Sequence, residues 1–567
     1  MTTLLLLALL FPLLLMLMAL RRSLRPWLIQ TLPWAALPAL LLAVLGEENF
    51  LLSLPYGLTG VLLGLDDLRR LFLVLAALLW LAAGGYAIRY LKEDPKAWRF
   101  ALFWLLTLGG NLGLILSFDV LTFYSFFALM TFAGYGLVVH TGSADAYRAG
   151  RIYLIMAVIG EGLLLAGLLS AVFVAGANPA LKGLPAIIAG SDQGVLITVL
   201  IFLGFGVKAG IPLLHIWLPL AHPVAPAPAS AVLSGVMIKA GLLGWLLLLP
   251  LGEISLPFWG SLIMALGLLA SFGGALVGVC QPSAKAVLAY SSISQMGLMT
   301  LIIGLIVSEA SLAPVLMPVA ALFAVHHGLA KGALFLSVSA RGCSTFHLLV
   351  TLLPALSLIG LPFTSGASAK LALKAGLPSS DLGVAGTQLL PLALNLGVIA
   401  TTLLMIRFFW CLWRQPPLAS PDRGLVGWWL LVVFFSMGLF WWLPHTLEEP
   451  LQMGTALMDV RDLVFPALIA GVLVVISRLI TSRMPRVPAG DILVPVSTFL
   501  GWSRRYLSQQ GESIRRVVLL RVVAVGNWYR RRMAELAAPE LLEKALRRHG
   551  AWVFLLVTGV LVLLLQS

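Results

Sequence analysis

Apolar runs of about 20 residues recur along almost the whole chain, and they constrain its fold more than any other feature. An α-helix needs a run of that length to cross the hydrocarbon core of a bilayer. Of the 567 residues, 60% are hydrophobic and only 11% are charged, whereas a soluble chain has about 25% charged residues. The sequence therefore predicts an all-α polytopic membrane protein with about 16 transmembrane helices. They are placed at 2–20, 27–45, 71–91, 100–118, 120–140, 152–175, 195–217, 229–250, 257–280, 287–308, 313–339, 347–375, 388–412, 425–444, 463–481 and 551–566.

The first run has no basic region before it and no small-residue cleavage signature, so we expect a retained helix and not a signal peptide. The loops between spans alternate in charge. The basic loops follow odd-numbered spans and carry Arg21, Arg22, Arg25, Lys92, Lys96, Arg99, Arg148, Arg151, Lys285, Arg341, Arg414, Arg423, Arg483 and Arg486. Loops after even-numbered spans carry Glu47, Glu48, Glu253, Glu309, Asp381, Glu448 and Glu449. The positive-inside rule then predicts that both termini lie outside, and the expected location is the bacterial cytoplasmic (inner) membrane.

The net charge of +14 follows from these basic loops and does not indicate nucleic-acid binding. One segment, 483–550, interrupts the alternation. Between Gly501 and His549 it holds 11 basic and 4 acidic residues, and apolar residues recur every three to seven positions. This pattern predicts an amphipathic lateral helix on a surface, roughly 57 Å long if it runs from Gly501 to Ala538 at 1.5 Å per residue. A disordered basic loop is the alternative. The apolar run at 551–566 favours a helix that ends in a final membrane anchor.

Charged side chains also occur inside the predicted spans, where insertion scales give a cost of about 2.5–3.5 kcal/mol for each. They are Glu161, Lys208, Lys239, His326, His327, Lys331, Lys370 and Lys374. Lys374 lies near a span end, where snorkelling explains it. The others are unequal in sign, since Glu161 is the only carboxylate among them, so ion pairing does not account for the set. Buried lysine tends to lose its proton and histidine titrates near neutral pH, so the seven residues predict a proton relay.

Two spans contain helix breakers close to a buried lysine. Pro212 follows Lys208 by four residues in span seven, and Gly360 and Pro362 precede Lys370 in span twelve. Interrupted helices at corresponding places in two halves are typical of transporters built on inverted repeats. Water in a cavity can satisfy the backbone groups that such breaks leave free.

Each broken span is the fourth of a block of five, and an odd number of spans gives the two blocks opposite orientation. The predicted organisation is therefore N-terminal spans at 1–99, five-helix half-channel repeats at 100–250 and 257–412, C-terminal spans at 413–482, the lateral helix at 483–550 and the anchor at 551–567.

Two motifs identify a family. Residues 215–231 read HIWLPLAHPVAPAPASA and run into SGVMIK at 234–239, and residues 289–297 read AYSSISQMG. They resemble the antiporter-like subunits shared by respiratory complex I, Mrp-type cation/proton antiporters and membrane-bound group 4 hydrogenases. The resemblance extends over about 60–480 and is closest to the hydrogenase and Mrp branches.

The resemblance implies roles for individual residues. Lys208 takes the place of the broken-helix lysine of the first half-channel, and Lys239 that of the lysine on the next helix. Lys331 and His327 take the place of the groups that connect the halves, and Lys370 that of the terminal residue on the second broken helix. The lateral helix would clamp neighbouring subunits together.

One position departs from the family pattern, which has a glutamate on the fifth span paired with the broken-helix lysine. Ala128 aligns there, and Glu161 on the next span is the candidate replacement. If Glu161 cannot replace it, the first half-channel is inactive or carries a different ion.

The expected function is proton translocation, with Na⁺/H⁺ antiport as a variant, by a subunit of a multisubunit complex. The sequence has no nucleotide loop, cluster ligands or nucleophile triad, and Cys280, Cys343 and Cys411 lack metal-ligand spacing, so no cofactor is expected. Energy would come from redox chemistry or an ion gradient in partner subunits, among them a soluble redox or zinc-containing protein. The alternatives are a proton path that powers an inorganic-carbon-accumulating complex, and an inactive scaffold subunit.

Overall fold

The computed structural model describes residues 1–47, 49–55, 60–176, 178–340, 345–375, 390–415, 422–442, 460–480 and 487. The lateral helix predicted at 483–550 (save Val487), the anchor at 551–567 and the loop residues Glu48, Arg341, Cys343, Asp381, Glu448 and Glu449 lie outside the described residues. The chain divides into two compact units, one of residues 1–52 and 62–489 and one of residues 53–61 and 490–567. In the second unit the described residues are 53–55, 60 and 61, at a hairpin tip.

The first unit is built of helices, because a backbone in lipid must satisfy its own hydrogen bonds. In chain order the helices are α1 (Thr2–Leu15), α2 (Arg25–Leu28), α3 (Leu32–Ala35), α4 (Leu37–Leu45), α5 (Asp67–Tyr90), α6 (Ala97–Leu116), α7 (Val120–Val138), α8 (Ala144–Ala175), α9 (Leu184–Ala189), α10 (Gly194–Ala209), α11 (Trp217–Val224), α12 (Ala227–Val232), α13 (Ile238–Leu248), α14 (Pro257–Val279), α15 (Ala284–Ser308), α16 (Ala313–Ser337), α17 (Thr345–Ile359), α18 (Ser365–Ala375), α19 (Leu390–Trp413), α20 (Arg423–Trp442) and α21 (Val460–Ile480). A π-helical turn, Leu233–Met237, joins α12 to α13.

Within the described part of the chain, eleven helical segments are long and apolar enough to cross a membrane, and four shorter apolar helices accompany them. Each of the first fifteen predicted spans overlaps at least one helix, and the spans at 27–45 and 229–250, like the two spans with expected breaks, are divided among several. The prediction of a polytopic helical membrane protein is therefore confirmed. The count of sixteen and the inverted repeats stay predictions.

The expectation of an all-α chain was wrong in one place. Strands β1 (Phe50–Leu54) and β2 (Val61–Leu65) form a two-stranded sheet between α4 and α5. These segments are rich in leucine and contain a single β-branched residue, Val61, so their composition does not indicate a strand. Asp119 attaches the sheet to the bundle: its carboxylate accepts from the backbone N–H of Leu62 and caps α7 by accepting from that of Thr122, both at 2.9 Å.

Several predicted basic loops meet at one end of the bundle. The Arg25 guanidinium carbon lies 4.5 Å from the centre of the Trp98 ring, which joins the loops after spans one and three. His140 contacts Asp94 at 2.9 Å and so joins the loop after span five to the same group. The hairpin and the α6–α7 link pair with each other away from these loops, through an antiparallel bridge between Leu63 and Ser117.

The two helix breaks have the same backbone conformation. After α10, Gly210 has φ +81° and Leu213 has φ +70°; after α17, Gly360 has φ +89° and Phe363 has φ +64°. In each break the residue after the glycine, Ile211 or Leu361, donates its N–H to the carbonyl five residues earlier, at 3.1 Å. Gly-Ile-Pro-Leu and Gly-Leu-Pro-Phe therefore end their helices in the same way. The glycine takes a left-handed backbone conformation without strain, and the proline two residues later cannot continue the helix.

Candidate functional site

All seven residues predicted for the relay are buried, with at most 5% of each side chain exposed. They are distributed over α8, α10, α13, α16 and α18. Burial of so many ionisable groups is costly unless each has a partner or a function. Their surroundings fall into three clusters.

The first cluster brings Glu161 of α8 and Lys208 of α10 together around one cavity of about 20 Å³. Lys208 Nζ donates to the Tyr153 hydroxyl at 3.4 Å and lies 5.7 Å from the centre of the Trp217 ring. Neither carboxylate oxygen of Glu161 has a hydrogen-bond partner among the described residues, and neither has the Thr131 hydroxyl, which lines the same cavity. The cavity is large enough to hold one water.

The fifth predicted span, α7, contributes aromatic and hydroxyl groups to this cavity in place of a carboxylate. Phe127 and Thr131 line it, and Ala128 is not among the lining residues. Glu161 reaches the cavity from the neighbouring helix. The carboxylate that lines this cavity therefore comes from α8.

The second cluster links Lys239 of α13 with Lys331 of α16. Lys239 Nζ donates to the Ser234 carbonyl at 2.5 Å, and Lys331 Nζ donates to the Leu288 carbonyl at 2.8 Å. The Ser234 and Ser292 hydroxyls bond to each other at 2.7 Å, and Ser292 also donates to the Leu288 carbonyl at 3.1 Å. Hydrogen bonds at Ser234, Ser292 and Leu288 therefore link the two lysines, with one interruption between the Ser234 carbonyl, which holds Lys239, and the Ser234 hydroxyl, which contacts Ser292.

The π-helical turn shapes this cluster, because Ser234 lies within it. A π turn shifts the helical hydrogen-bond register and is frequent at functional sites. Gly235, the next residue, packs against Gly328 of α16, and a Cβ atom on Gly328 would lie 2.5 Å from the Gly235 carbonyl oxygen. Only glycine allows this approach, which brings His327 and the π turn to the same level.

The third cluster surrounds the second break. Lys370, on α18, reaches back across the break and donates its Nζ hydrogen to the carbonyl of Ile359, the last residue of α17. The negative end of the α17 dipole lies there, so the position favours a cation. His326 Nδ1 contacts the Ser365 hydroxyl at 2.8 Å, so it joins α16 to the helix that carries Lys370.

Three groups were missed by the sequence prediction. His222 is fully buried, its ring lies 4.5 Å from that of Phe335 on α16, and neither ring nitrogen has a hydrogen-bond partner among the described residues. Its position among apolar residues and prolines was the available signal. The Ser234–Ser292 contact had no signal in the sequence, since small hydroxyl residues are common in membrane helices.

Lys285 was interpreted as a loop charge. In the structure it lies in the first turn of α15, half-buried, and donates to the Ala225 carbonyl at 2.6 Å. That interpretation was therefore wrong. Its neighbours on α15 are apolar, so the helix begins earlier than the apolar run at 287–308 indicates.

His327 differs from His326. Both are buried, but neither ring nitrogen of His327 has a hydrogen-bond partner within the described residues. It precedes Lys331 by one helical turn, as expected. Among the described residues, no group of three or more His, Cys, Asp or Glu side chains is arranged to hold a metal ion.

Comparisons with known proteins place these clusters in a family context. Residues 117–384, which contain all seven predicted relay residues, match the family described as NADH:quinone oxidoreductase/Mrp antiporter, TM. Hydrogenase-4 component B of Escherichia coli is 29% identical over 296 residues, covering 50% of this chain and 44% of the relative. The putative antiporter subunit mnhA2 of Staphylococcus saprophyticus is 30% identical over 454 residues, covering 71% and 56%. The chain thus spans about half the length of these curated relatives.

The solved structure of the Mrp complex from Dietzia sp. DQ12-45-1b contains a chain of similar fold, with a TM-score of 0.64. The likeness covers 82% of this chain and 100% of that one at 19% identity. At this identity the likeness shows the fold, and the arrangement of side chains must carry any argument about activity.

Proposed function

Because this chain belongs, through residues 117–384, to the antiporter-like membrane family of NADH:quinone oxidoreductases and Mrp antiporters, we propose that it is a proton-translocating subunit of a multisubunit membrane complex. The observation that carries the proposal is the burial of seven ionisable groups on five helices, with a glycine–proline break close to Lys208 and another close to Lys370. Na⁺/H⁺ antiport is the variant, and the likeness to the Na(+)/H(+) antiporter subunit A1 of Staphylococcus haemolyticus, 30% identical over 396 residues, supports it.

The first step would take place at the Glu161–Lys208 cavity. A single water there would meet three buried polar groups, namely the Glu161 carboxylate, the Thr131 hydroxyl and the Lys208 ammonium, and a buried water typically makes two to four hydrogen bonds. Such a water would pass a proton between the carboxylate and the amine. Glu161 would then serve in place of the family's glutamate at the Ala128 position.

The central step would use the Lys239–Lys331 cluster. Backbone carbonyls hold each ammonium group but cannot themselves relay a proton, whereas the Ser234 and Ser292 hydroxyls can both donate and accept. Each lysine would therefore leave its carbonyl to exchange a proton with the hydroxyls or with His327, whose ring nitrogens have no hydrogen-bond partner among the described residues. Lys370, held at the end of α17, would be the final loading site.

The orientation of the subunit follows from its loops. The basic loops after spans one, three and five meet at one end of the bundle, and the positive-inside rule assigns such an end to the cytoplasm. We therefore place the N-terminus on the outer side of a bacterial inner membrane. Energy would come from partner subunits, a redox protein or an opposing ion gradient.

The test uses membrane vesicles from the native host that contain the intact complex. Glu161→Gln and Lys208→Met should each lower proton uptake, read by quenching of an acridine dye, at least tenfold, because each removes a group that no described neighbour replaces. Immunoblots should show unchanged amounts of the subunit.

Lys182→Met is the matched control, since Lys182 is exposed and outside the three clusters. Full uptake by Glu161→Gln would reject its role as the replacement carboxylate. Full uptake by both Lys208→Met and Lys370→Met would reject the relay as a whole.

A further inference from the structure

A large cavity lies at the basic end of the bundle, away from the relay. Its volume is about 870 Å³, within the range of about 300–1,000 Å³ typical of ligand sites. Its walls are formed by the chain from the link before α2 to the start of α3, by the end of α5 and the link to the start of α6, and by Trp428 of α20. None of the seven relay residues lines it.

The polar part of this cavity is cationic. Arg22, Arg25, Arg89 and Lys92 line it, against a single carboxylate, that of Asp94. Asp94 is already engaged, since one carboxylate oxygen contacts His140 Nε2 at 2.9 Å and the other accepts from the Lys96 backbone N–H at 2.7 Å. The cavity therefore has a surplus of positive charge.

Two of the four cations are unused by the protein. Neither Arg22 nor Lys92 has a hydrogen-bond or ion-pair partner among the described residues. Arg25 donates its Nε hydrogen to the Ala19 carbonyl at 2.8 Å, and Arg89 lies at 3.9 Å from the Asp422 carboxylate. These interactions orient the guanidinium groups but leave donors available to an anion.

The rest of the wall is apolar and aromatic. Ile29, Pro33 and Ile88 line it together with three tryptophans, Trp34, Trp98 and Trp428. Tryptophan and arginine together are typical of the level where lipid headgroups meet acyl chains. Trp34 is 61% exposed, so the apolar side of the cavity opens at the surface of the bundle.

We propose that this cavity binds an acidic phospholipid. The phosphodiester would lie between Arg22 and Lys92, and the upper acyl chains would run along Trp34 and Ile29. Basic pockets between membrane helices on the cytoplasmic side bind such headgroups. A free anion would leave the apolar wall unoccupied, and a zwitterionic lipid would bring its own cation against the surplus of positive charge.

The test purifies the full chain in its complex, in mild detergent, and counts retained lipids by native mass spectrometry while phosphatidylglycerol is titrated. Arg22→Gln combined with Lys92→Gln should weaken retention of one phosphatidylglycerol about 30-fold, since each basic group near the surface contributes about one factor of five. Both residues are exposed, so the variant should fold. Arg148→Gln with Arg151→Gln removes the same charge at exposed positions outside the cavity and is the control.

Equal retention by the two double variants would overturn the proposal. So would equal retention of phosphatidylcholine, which would show that the cavity does not select charge. Inorganic phosphate that protects the protein from thermal unfolding as well as phosphatidylglycerol does, in the absence of retained lipid, would identify a simple anion site. A photo-crosslinker at Lys92 that captures another subunit in native membranes, with no lipid retained, would identify a protein interface and likewise overturn the proposal.

Discussion

Replacing Gly360 by alanine should lower transport much more than a strained backbone alone would. Gly360 has φ +89°, and the left-handed conformation costs an alanine roughly 1–2 kcal/mol. The new Cβ atom would lie 2.8 Å from Cδ, 3.1 Å from Nζ and 3.2 Å from Cε of Lys370. A lysine chain is flexible and will move aside, so the clash itself adds little to the loss of stability. The ammonium group, however, would leave the Ile359 carbonyl.

The size of the effect follows from that lost contact. A hydrogen bond to a charged group is worth about 1.5–3 kcal/mol, which corresponds to a roughly 10- to 150-fold fall in the population of correctly placed lysine. Proton uptake by Gly360→Ala vesicles should therefore fall at least tenfold. The assay is the acridine-dye quench with immunoblot quantification of the subunit.

Gly210→Ala provides the matched control. Its φ of +81° gives the same backbone strain, but its Cβ atom would meet only Leu218 and His215, at ordinary distances of 3.4 and 3.7 Å. Both variants should lose similar stability, and Gly210→Ala should retain most of its transport. Equal transport by the two variants would refute the idea that the bond from Lys370 to the Ile359 carbonyl is needed for transport.

Two further predictions concern the interior and the loop end of the bundle. Ser292→Ala breaks the 2.7 Å contact with Ser234 and should cost about 1 kcal/mol of stability and slow proton uptake. The control, Ser170→Ala, removes a hydroxyl bonded within its own helix and should leave uptake unchanged. Equal uptake by the two variants would show that the hydroxyl pair is only structural. Burial lowers the pKa of His140 below its usual 6.5, and the bond to Asp94 only partly offsets this, so the neutral ring is favoured in the folded protein. The contribution of the neutral His140 ring to stability is thus present above pH 6.5 and lost as the pH falls through the lowered pKa of the folded protein. His140→Gln should therefore flatten the dependence of the thermal midpoint on pH. An unchanged dependence would contradict this.

The helices and their breaks were predictable because lipid imposes simple rules. In lipid, an apolar run of about 20 residues forms a helix because its backbone must satisfy its own hydrogen bonds. A Gly-x-Pro sequence ends such a helix, with the glycine in the left-handed conformation. The burial of the charged residues followed from the same reasoning, since a lysine such as Lys239 lies in the middle of a run too long to be a loop. The β1–β2 sheet could not be predicted, because its leucines fit any buried segment.

The partners of the buried charges depend on packing between distant segments. Glu161 and Lys208 are 47 positions apart, and nothing local indicates that their helices turn the two side chains towards one cavity. Lys370 illustrates the same limit. Its sequence position lies after the second break, whereas its ammonium group lies before it, at the end of α17. Such contacts arise from the folded chain and have no sequence signature.

The π-helical turn at Leu233–Met237 makes the position of Lys239 depend on a residue count. Each residue advances a helix by about 100°, so a chain shortened by one residue within this turn would present Lys239 to a different neighbour while keeping its composition and hydropathy. Insertions and deletions here are thus as consequential as replacement of the lysine itself. Gly235, which crosses α16, and Lys239 are four residues apart. Among relatives of this chain, that spacing is therefore a criterion for an intact proton path, in addition to the presence of the lysine itself.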